Sequence, residues 1–586
     1  MADFNHLLTS VDFSGTLTTK TVDLTVRLSF VNRDRVSHEM VYFFRSTPQL
    51  DVYDFKIYRP NDHREASLLP RLEAGRRYAQ ALEEGRPAAK LTSYPYHVWE
   101  LCHSRLEPGC EIIVEIKLFG AMMHHSGRSV LQLPLTIVPF NMPSEVTPEH
   151  FRMVAPEFCR EVGYDCSMRF EVPNADDLQI ESTTHALRVA RQGNKAVVEL
   201  TERCAPDRDF ILRLQKRDGM PDYCYAIHNT PDQLRAQLYF RPAIELESLV
   251  AENRRQEIVF MLDQSGSMTE RGRQLAFQSL NKMLASLTEQ DSFNVLSIAR
   301  ENRLLFPHSV PVTPDNISAL LQQIPVGDHT FLRGNDLIGA LETVYRIPPL
   351  PAARRSIVIL TDGGYWFGGR LEPLLKSHPE VRIFPVAVGE APFTSSLFKL
   401  AFITGGVIEV VVRPADVEDA MMRHLTRIIQ PPARLKITVE RGEALIPPML
   451  PPVYDGDDWD ILLLFNHWEK DTVVHIEYEV GSRRYCRDVP LVIFEDEMLS
   501  EADLRVRKLY PQQHRVHLTN SRVRNLTRPF LTGSLFCERD RPVASPDFDY
   551  PTTVVVPLQL LPGSVTDHLN IYELFEKQAP PAGTDG

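Results

Sequence analysis

The chain has 586 residues, 43% hydrophobic and 24% charged, a globular composition that at roughly 150 residues per domain gives about three to four domains. A net charge of −13 excludes nucleic acid as the main partner, because that needs a basic face, and it excludes an anionic membrane surface on the same ground. No apolar run reaches the roughly 18 residues of a membrane-spanning helix.

Prolines outnumber glycines, 44 to 28, which favours extended segments over long helices. The start, Met1-Ala2-Asp3-Phe4-Asn5-His6, lacks the basic and apolar regions of a secretory signal. The eight cysteines (102, 110, 159, 166, 204, 224, 486, 537) contain no CxxC pair. The expectation is a cytoplasmic chain with free thiols and no thiolate zinc site. Asn316-Ile317-Ser318 and Asn525-Leu526-Thr527 match the glycosylation pattern and are inert in that compartment.

In chain order, 1–140 reads as strands. Thr16 to Phe30 alternates with period two and Glu111 to Phe119 does so in part. One helix is expected at 72–85, with Leu72, Ala79 and Leu82 near a helical period, Tyr78 beside them and Gly85 as the stop. Residues 141–253 are further β structure, with strands around 170–173, 196–200 and 210–214.

The pattern changes over 254–430. Apolar runs at 257–262, 292–298, 355–361 and 382–388 alternate with helical stretches near 271–287, 314–323, 336–346, 395–403 and 415–428. Such alternation predicts a doubly wound, mostly parallel α/β sheet, whose ligand site lies at the carboxyl ends of its strands. Met421, Met422, Leu425, Ile428 and Ile429 read as the buried face of the last helix. Residues 431–570 return to β, with strands at 434–439 and 473–480, and 571–586 reads as a disordered tail.

Two of the α/β runs end in hard oxygen ligands. Ile258 to Leu262 leads into Asp263-Gln264-Ser265-Gly266-Ser267, and Ile357 to Leu360 into Thr361-Asp362-Gly363-Gly364. Carboxylates with hydroxyls suit Mg²⁺ or Mn²⁺, and an ion held mostly by neutral oxygens seeks a carboxylate from outside. The alternative is a strand-to-helix turn with Asp and Ser as caps. Tyr365, Trp366 and Phe367 follow Asp362. They are either a partner-binding aromatic rim or packing beneath neighbouring loops. Asp455, Asp457, Asp458 and Asp460 lack the downstream glutamate of a calcium loop and read as a solvated hairpin; His124-His125 reads as a surface pair. There is no GxSxG, HExxH or P-loop pattern, so no enzyme is expected.

With these residues in view, 254–430 resembles a von Willebrand factor A (VWA) domain with a metal-ion-dependent adhesion site. The family's motif is DxSxS, a distant Thr and the Asp of TDG. The resemblance implies Ser265 and Ser267 as direct ligands, with Asp263 and Asp362 acting through water. At the family's Thr position this chain has Asn335; Thr330, in Gly327-Asp328-His329-Thr330-Phe331, is taken as the ligand, with Asn335 as the alternative. Residues 1–140 resemble the vault-protein/inter-α-trypsin inhibitor (VIT) domain through Tyr78 to Ala89 and Leu106-Glu107-Pro108-Gly109. A VIT domain before an A domain is the layout of inter-α-trypsin inhibitor heavy chains, of intracellular VWA proteins of the family-5 type and of the middle of vault poly(ADP-ribose) polymerase. By that analogy 141–253 and 431–570 pair as one β-sandwich into which the A domain is inserted. The expected function is a non-enzymatic scaffold that binds a protein ligand through an acidic residue on its metal. The alternatives are a secreted heavy-chain-like matrix protein, a scaffold with a vestigial metal site, or a non-catalytic subunit of an enzyme complex.

Overall fold

A computed structural model describes residues 7–47, 50–60, 62–94, 97–136, 158–159, 161–230, 233–245, 255–265, 267–298, 302–323, 336–363, 365, 370–389, 392, 394–431, 433–446, 450, 452–481, 483–493, 533–538, 552–555 and 558–559.

The N-terminal unit is β-rich. Its larger sheet has eight strands in the order Leu187–Gln192, Lys195–Leu200, Asp165–Val172, Leu8–Leu17, Thr21–Val31, Glu111–Ala121, Leu50–Arg59, Asp62–Glu65. Period-two patterning sets one face inward. Val22, Leu24, Val26, Leu28 and Phe30 of Thr21–Val31 are all buried. A second sheet containing His38–Arg45, Val98–Leu106 and Ala88–Tyr94 shares the same core. The expected helix is present as Arg71–Glu83, and Gly85 follows at φ 64°. Its buried face is Ala74, Tyr78 and Ala81, while Leu72 is 79% exposed. Tyr78 sets that rotation: its hydroxyl donates to Glu39 Oε1 at 3.0 Å and its ring lies under the Lys90 ammonium.

The α/β unit has the sheet order Arg303–Leu304, Ser292–Ile298, Gln256–Asp263, Arg354–Thr361, Arg382–Val388, Glu409–Val411. From Ser292–Ile298 to Glu409–Val411 neighbouring strands are parallel. The central strands are buried along their whole length, as a sheet covered on both faces requires. Alternate residues go to opposite layers. Ile258, Phe260 and Leu262 pack with helices Glu270–Ala285 and Pro414–Ile429. Val259 and Met261 pack with Leu337–Arg346, Leu371–Lys376 and Thr394–Thr404. On the last helix Met421, Leu425 and Ile428 are core, whereas Met422 and Ile429 are 42% and 38% exposed. Gly406 leads into the edge strand with no room for a side chain, since a Cβ there would overlap the Ile383 carbonyl. Gly406→Ala is expected to lower the unfolding free energy by about 1–3 kcal/mol, read from chemical denaturation, because the obstruction is backbone and cannot rotate away.

The segments flanking the α/β unit divide among several sheets; Leu178–Ser182 and Phe210–Lys216 join Met123–His125 and Arg128–Leu133 in a small four-stranded sheet. Gln233–Phe240 and Tyr223–Thr230 join Arg483–Val492, Trp459–Val480 and Arg434–Leu445 in one five-stranded sheet. Trp459–Val480 is long enough to pair with Gln233–Phe240 through its first part and with Arg483–Val492 through its last, so the sheet closes on itself. Trp459, Ile461, Leu463 and Phe465 fill its interior. Asp165–Val172 and Lys195–Leu200 instead extend the N-terminal sheet, because Asp165–Val172 pairs in parallel with Leu8–Leu17 and buries Cys166, Met168, Phe170 and Val172 there. Gly533–Glu538 and Thr552–Val555 pair with strands of the second N-terminal sheet. The expected tail at 571–586 lies outside the described residues.

Where the units meet, two expectations are corrected. Asp457, Asp458 and Asp460 are 4%, 7% and 5% exposed, not a solvated hairpin. Asp458 accepts from Tyr239 OH at 2.5 Å and from the Gly127 N–H at 2.8 Å. Asp460 lies 3.3 Å from Nδ1 of His124, which is buried with Nε2 3.0 Å from the Thr19 carbonyl. Asp457 pairs with Arg427, whose Nη1 also reaches Glu409 Oε1 at 2.5 Å. His125 Nε2 lies 3.3 Å from the other Glu409 oxygen, and Arg423 grips both. Each acid is buried because a donor from a different unit of the chain meets it.

Candidate metal centre

The site begins with strand order. Gln256–Asp263 lies between Ser292–Ile298 and Arg354–Thr361, so the chain reverses its direction of winding between the first and third strands of this sheet. In open parallel sheets the crevice at that point, at the carboxyl ends, is where ligands bind. Asp263 closes the first of the two strands and Asp362 directly follows the second.

Past Asp263 the chain turns tightly. The Ser265 N–H donates to Asp263 Oδ1 at 2.8 Å, and Met268 N–H to the Ser265 carbonyl at 3.2 Å. Thr269 then caps helix Glu270–Ala285, its hydroxyl accepting from Gly272 N–H. The cap is thus Thr269, which leaves the serines for another task. Ser265 Oγ and Ser267 Oγ stand 3.0 Å apart. Two adjacent ligands of an octahedral ion bound at about 2.0–2.1 Å are separated by roughly 2.9 Å, so this spacing suits neighbouring coordination positions. On the other strand, Gly363 takes φ 90°, a conformation that favours glycine, and its N–H bonds back to Thr361 Oγ1 at 2.9 Å. Ser396 holds the Gly363 carbonyl at 2.8 Å.

Asp263 is 1% exposed and Asp362 6%. Asp263 Oδ2 accepts from Thr361 Oγ1 at 2.6 Å and from Tyr365 OH at 2.7 Å. Among the described residues it makes no ion pair, so its charge is met by three neutral donors only. A buried carboxylate is costly without a cation beside it. The donors, hydroxyls and carboxylates, fit Mg²⁺ or Mn²⁺, although no group of three or more His, Cys, Asp or Glu that could hold a metal stands together among the described residues. Ser265, Ser267, Asp263 and Asp362 are the residues that would hold such an ion, and it would supply an open coordination position of positive charge.

Tyr365 is corrected from rim to core. It is 3% exposed and packs among the aliphatic residues of one helical layer. Burial, and then the Asp263 carboxylate, raise its phenol well above the ordinary value, so it stays protonated and donates. Thr361 and Tyr365 both figure in the sequence motifs, but not as the hydroxyls that bond Asp263. The one available signal was strand phase, which sets Thr361 next to Asp263. Trp366, Phe367, Thr330, Asn335 and Gly266 lie outside the described residues.

Comparison with known proteins finds two domain families in the chain. Residues 256–410 match the von Willebrand factor type A domain, and residues 8–118 the vault protein inter-alpha-trypsin domain. The chain is a VIT-plus-VWA domain protein. It is distantly related to human von Willebrand factor A domain-containing protein 5A, 23% identical over 474 residues (72% of this chain, 57% of the relative). It is also related to human protein mono-ADP-ribosyltransferase PARP4, 22% identical over 414 residues (69% and 23%). A Dictyostelium discoideum von Willebrand factor A domain-containing protein is 25% identical over 239 residues (40% and 11%). The chain thus spans 57% or less of each of these relatives. Among solved structures, a von Willebrand factor type A protein from Catenulispora acidiphila aligns at TM-score 0.32 and 16% identity, over 48% of this chain and 76% of that one. Proximal thread matrix protein 1 from the mussel byssus, with a zinc-occupied MIDAS motif, aligns at 0.26 and 13%, over 32% and 50%.

Proposed function

We infer that this chain is a non-enzymatic interaction scaffold of the cytoplasm. Its VWA domain, close to 254–430, binds an acidic residue of a protein partner through Mg²⁺ or Mn²⁺. Ser265 and Ser267 hold the ion directly, Asp263 and Asp362 hold it through water, and Thr330 or Asn335 completes the set. The VIT domain and the closed β sheet serve as the frame. The reading rests above all on Asp263, a buried carboxylate with no ion pair among the described residues, at the reversal point of the sheet and beside two hydroxyls at coordination spacing.

The reading is tested by capture of partners on the immobilised full chain from a lysate of its own source, in Mg²⁺, after chelation with EDTA, and after Mn²⁺ is restored. Partners lost on chelation and regained with Mn²⁺, and competed off by an excess of a short Asp-rich peptide, support it. Partners retained in EDTA would place binding on a surface other than the metal.

A further inference from the structure

A second chemistry lies in the N-terminal unit, away from the proposed metal. Cys166, in strand Asp165–Val172, stands directly opposite Cys204 in an isolated antiparallel bridge. Both backbone bonds of the pair are made. Cys166 N–H donates to the Cys204 carbonyl at 2.7 Å, and Cys204 N–H to the Cys166 carbonyl at 3.0 Å. A reciprocally bonded antiparallel pair keeps its Cα atoms about 5.5 Å apart. That lies inside the roughly 4.4–6.8 Å window of a disulfide, close to its most common value. Residues opposite one another in such a pair project their side chains to the same side. No other strand pairing among the described residues sets one cysteine against another.

The two thiols differ in access. Cys166 is 1% exposed in the core, and Cys204 is half-buried, packed on the same core from its edge. Salt bridges already tie the strap at this place: Arg203, beside Cys204, bonds Asp165 at 2.5 Å and Asp12 at 2.9 Å. Five residues further on, Asp209 is buried, with its carboxylate on Gln132, and strand Phe210–Lys216 begins. The bridge therefore sits where the chain leaves the large N-terminal sheet for the small sheet that borders the VWA domain.

We propose that Cys166 and Cys204 are an oxidisable dithiol, converted by a hydroperoxide into an intramolecular disulfide that staples this crossover. Cys204, as thiolate, attacks the peroxide oxygen. The O–O bond breaks, leaving a sulfenic acid on Cys204 and releasing an alcohol, or water from hydrogen peroxide. Cys166 sulfur then attacks the Cys204 sulfur, the S–S bond forms, and the sulfenic oxygen departs as water with the Cys166 proton. Two thiols lose two electrons in all, and the peroxide gains them. Burial first, then Asp207, pushes the Cys204 thiol up to about 11, and burial with the Cys204 sulfur raises Cys166 further. The thiolate is scarce near neutral pH, so the reaction is slow there and speeds up about tenfold for each unit by which pH is raised, up to that value.

The test uses the full chain, reduced, then exposed to hydrogen peroxide, alkylated after denaturation and digested for mass spectrometry. The expected product joins the Cys166 and Cys204 peptides, lighter by two hydrogens than the reduced pair, and forms ahead of any other cysteine pair. The thermal midpoint rises by a few degrees on oxidation, returns with dithiothreitol, and does not move in Cys204→Ser, which changes a half-buried edge residue. Three results would each overturn the proposal: oxidation of Cys204 to sulfinic acid without the cross-link, Cys204 joined to another cysteine, or both thiols still open to alkylation once the exposed Cys486 is oxidised. A midpoint that falls on cross-linking would overturn the staple.

Discussion

Replacement of Arg427 by methionine is expected to cost about 3–5 kcal/mol of stability, read as a fall in the denaturant midpoint of the full chain. Arg427 is 3% exposed and is shared by two buried carboxylates, Glu409 of the sheet edge and Asp457 of the loop that follows the VWA domain. Methionine preserves volume but takes one buried cation from each acid, Glu409 keeping Arg423. The double variant Arg427→Met with Asp457→Asn is expected to recover part of the loss, because the second change removes the buried charge that Arg427 had balanced. The pH dependence has a definite sign. Burial alone would raise the pKa of Glu409, yet Arg427 first, then His125 and Arg423, hold it well below the ordinary range. A depressed carboxylate stabilises the fold above its unfolded pKa of about 4.3 and loses that contribution as pH falls through the folded value. Without Arg427 the folded value moves back toward the unfolded one, so the share of stability that depends on Glu409 ionisation, and is lost on acidification, should shrink. Identical acid transitions in the two proteins would show that the pair carries no weight.

The double change Ser265→Ala with Ser267→Ala is expected to weaken Mn²⁺ binding by more than about 100-fold in titration calorimetry, beyond the roughly 10–100-fold typical of supporting residues. The fold should survive, because the turn is held by the Ser265 backbone N–H and not by its hydroxyl. Tyr365→Phe is the companion test. It leaves both serines in place and removes one of three donors to Asp263, so its effect belongs in the supporting range. Binding unchanged in the double variant would remove the serines from the site, whatever the fate of the partner experiment.

The α/β unit was legible in the sequence because its strands are short apolar runs and its helices carry a 3.6 period, both local signals. The four expected strands and five helical stretches appear close to where the pattern sets them. Asp263 and Asp362 were legible for the same reason, each at the end of a run that has to be a buried strand. The acidic loop was not. Asp457, Asp458 and Asp460 look solvated until one knows that Gly127, 331 positions away in the chain, and His124, 336 away, close over them. No periodicity encodes a partner at that separation. Tyr365 fails similarly: three consecutive aromatics suggest a rim, and only the fold shows that its hydroxyl turns inward to Asp263. The division of 141–253 among four sheets was hidden too, since alternation states that a strand has an inner face but not which neighbour it will choose.

The segment that follows the VWA domain ties down both of its ends. Ala433, just after the last VWA helix, exchanges backbone bonds with Val453, while the Ile244 N–H reaches Asp455 Oδ1 at 2.7 Å and the Gly456 N–H reaches the Pro242 carbonyl at 2.9 Å. The incoming and outgoing chains therefore share one short anchorage. A tug delivered to a ligand atop the sheet therefore reaches the β frame through Val453–Gly456 and, at the sheet edge, through the meeting of Glu409 with His125.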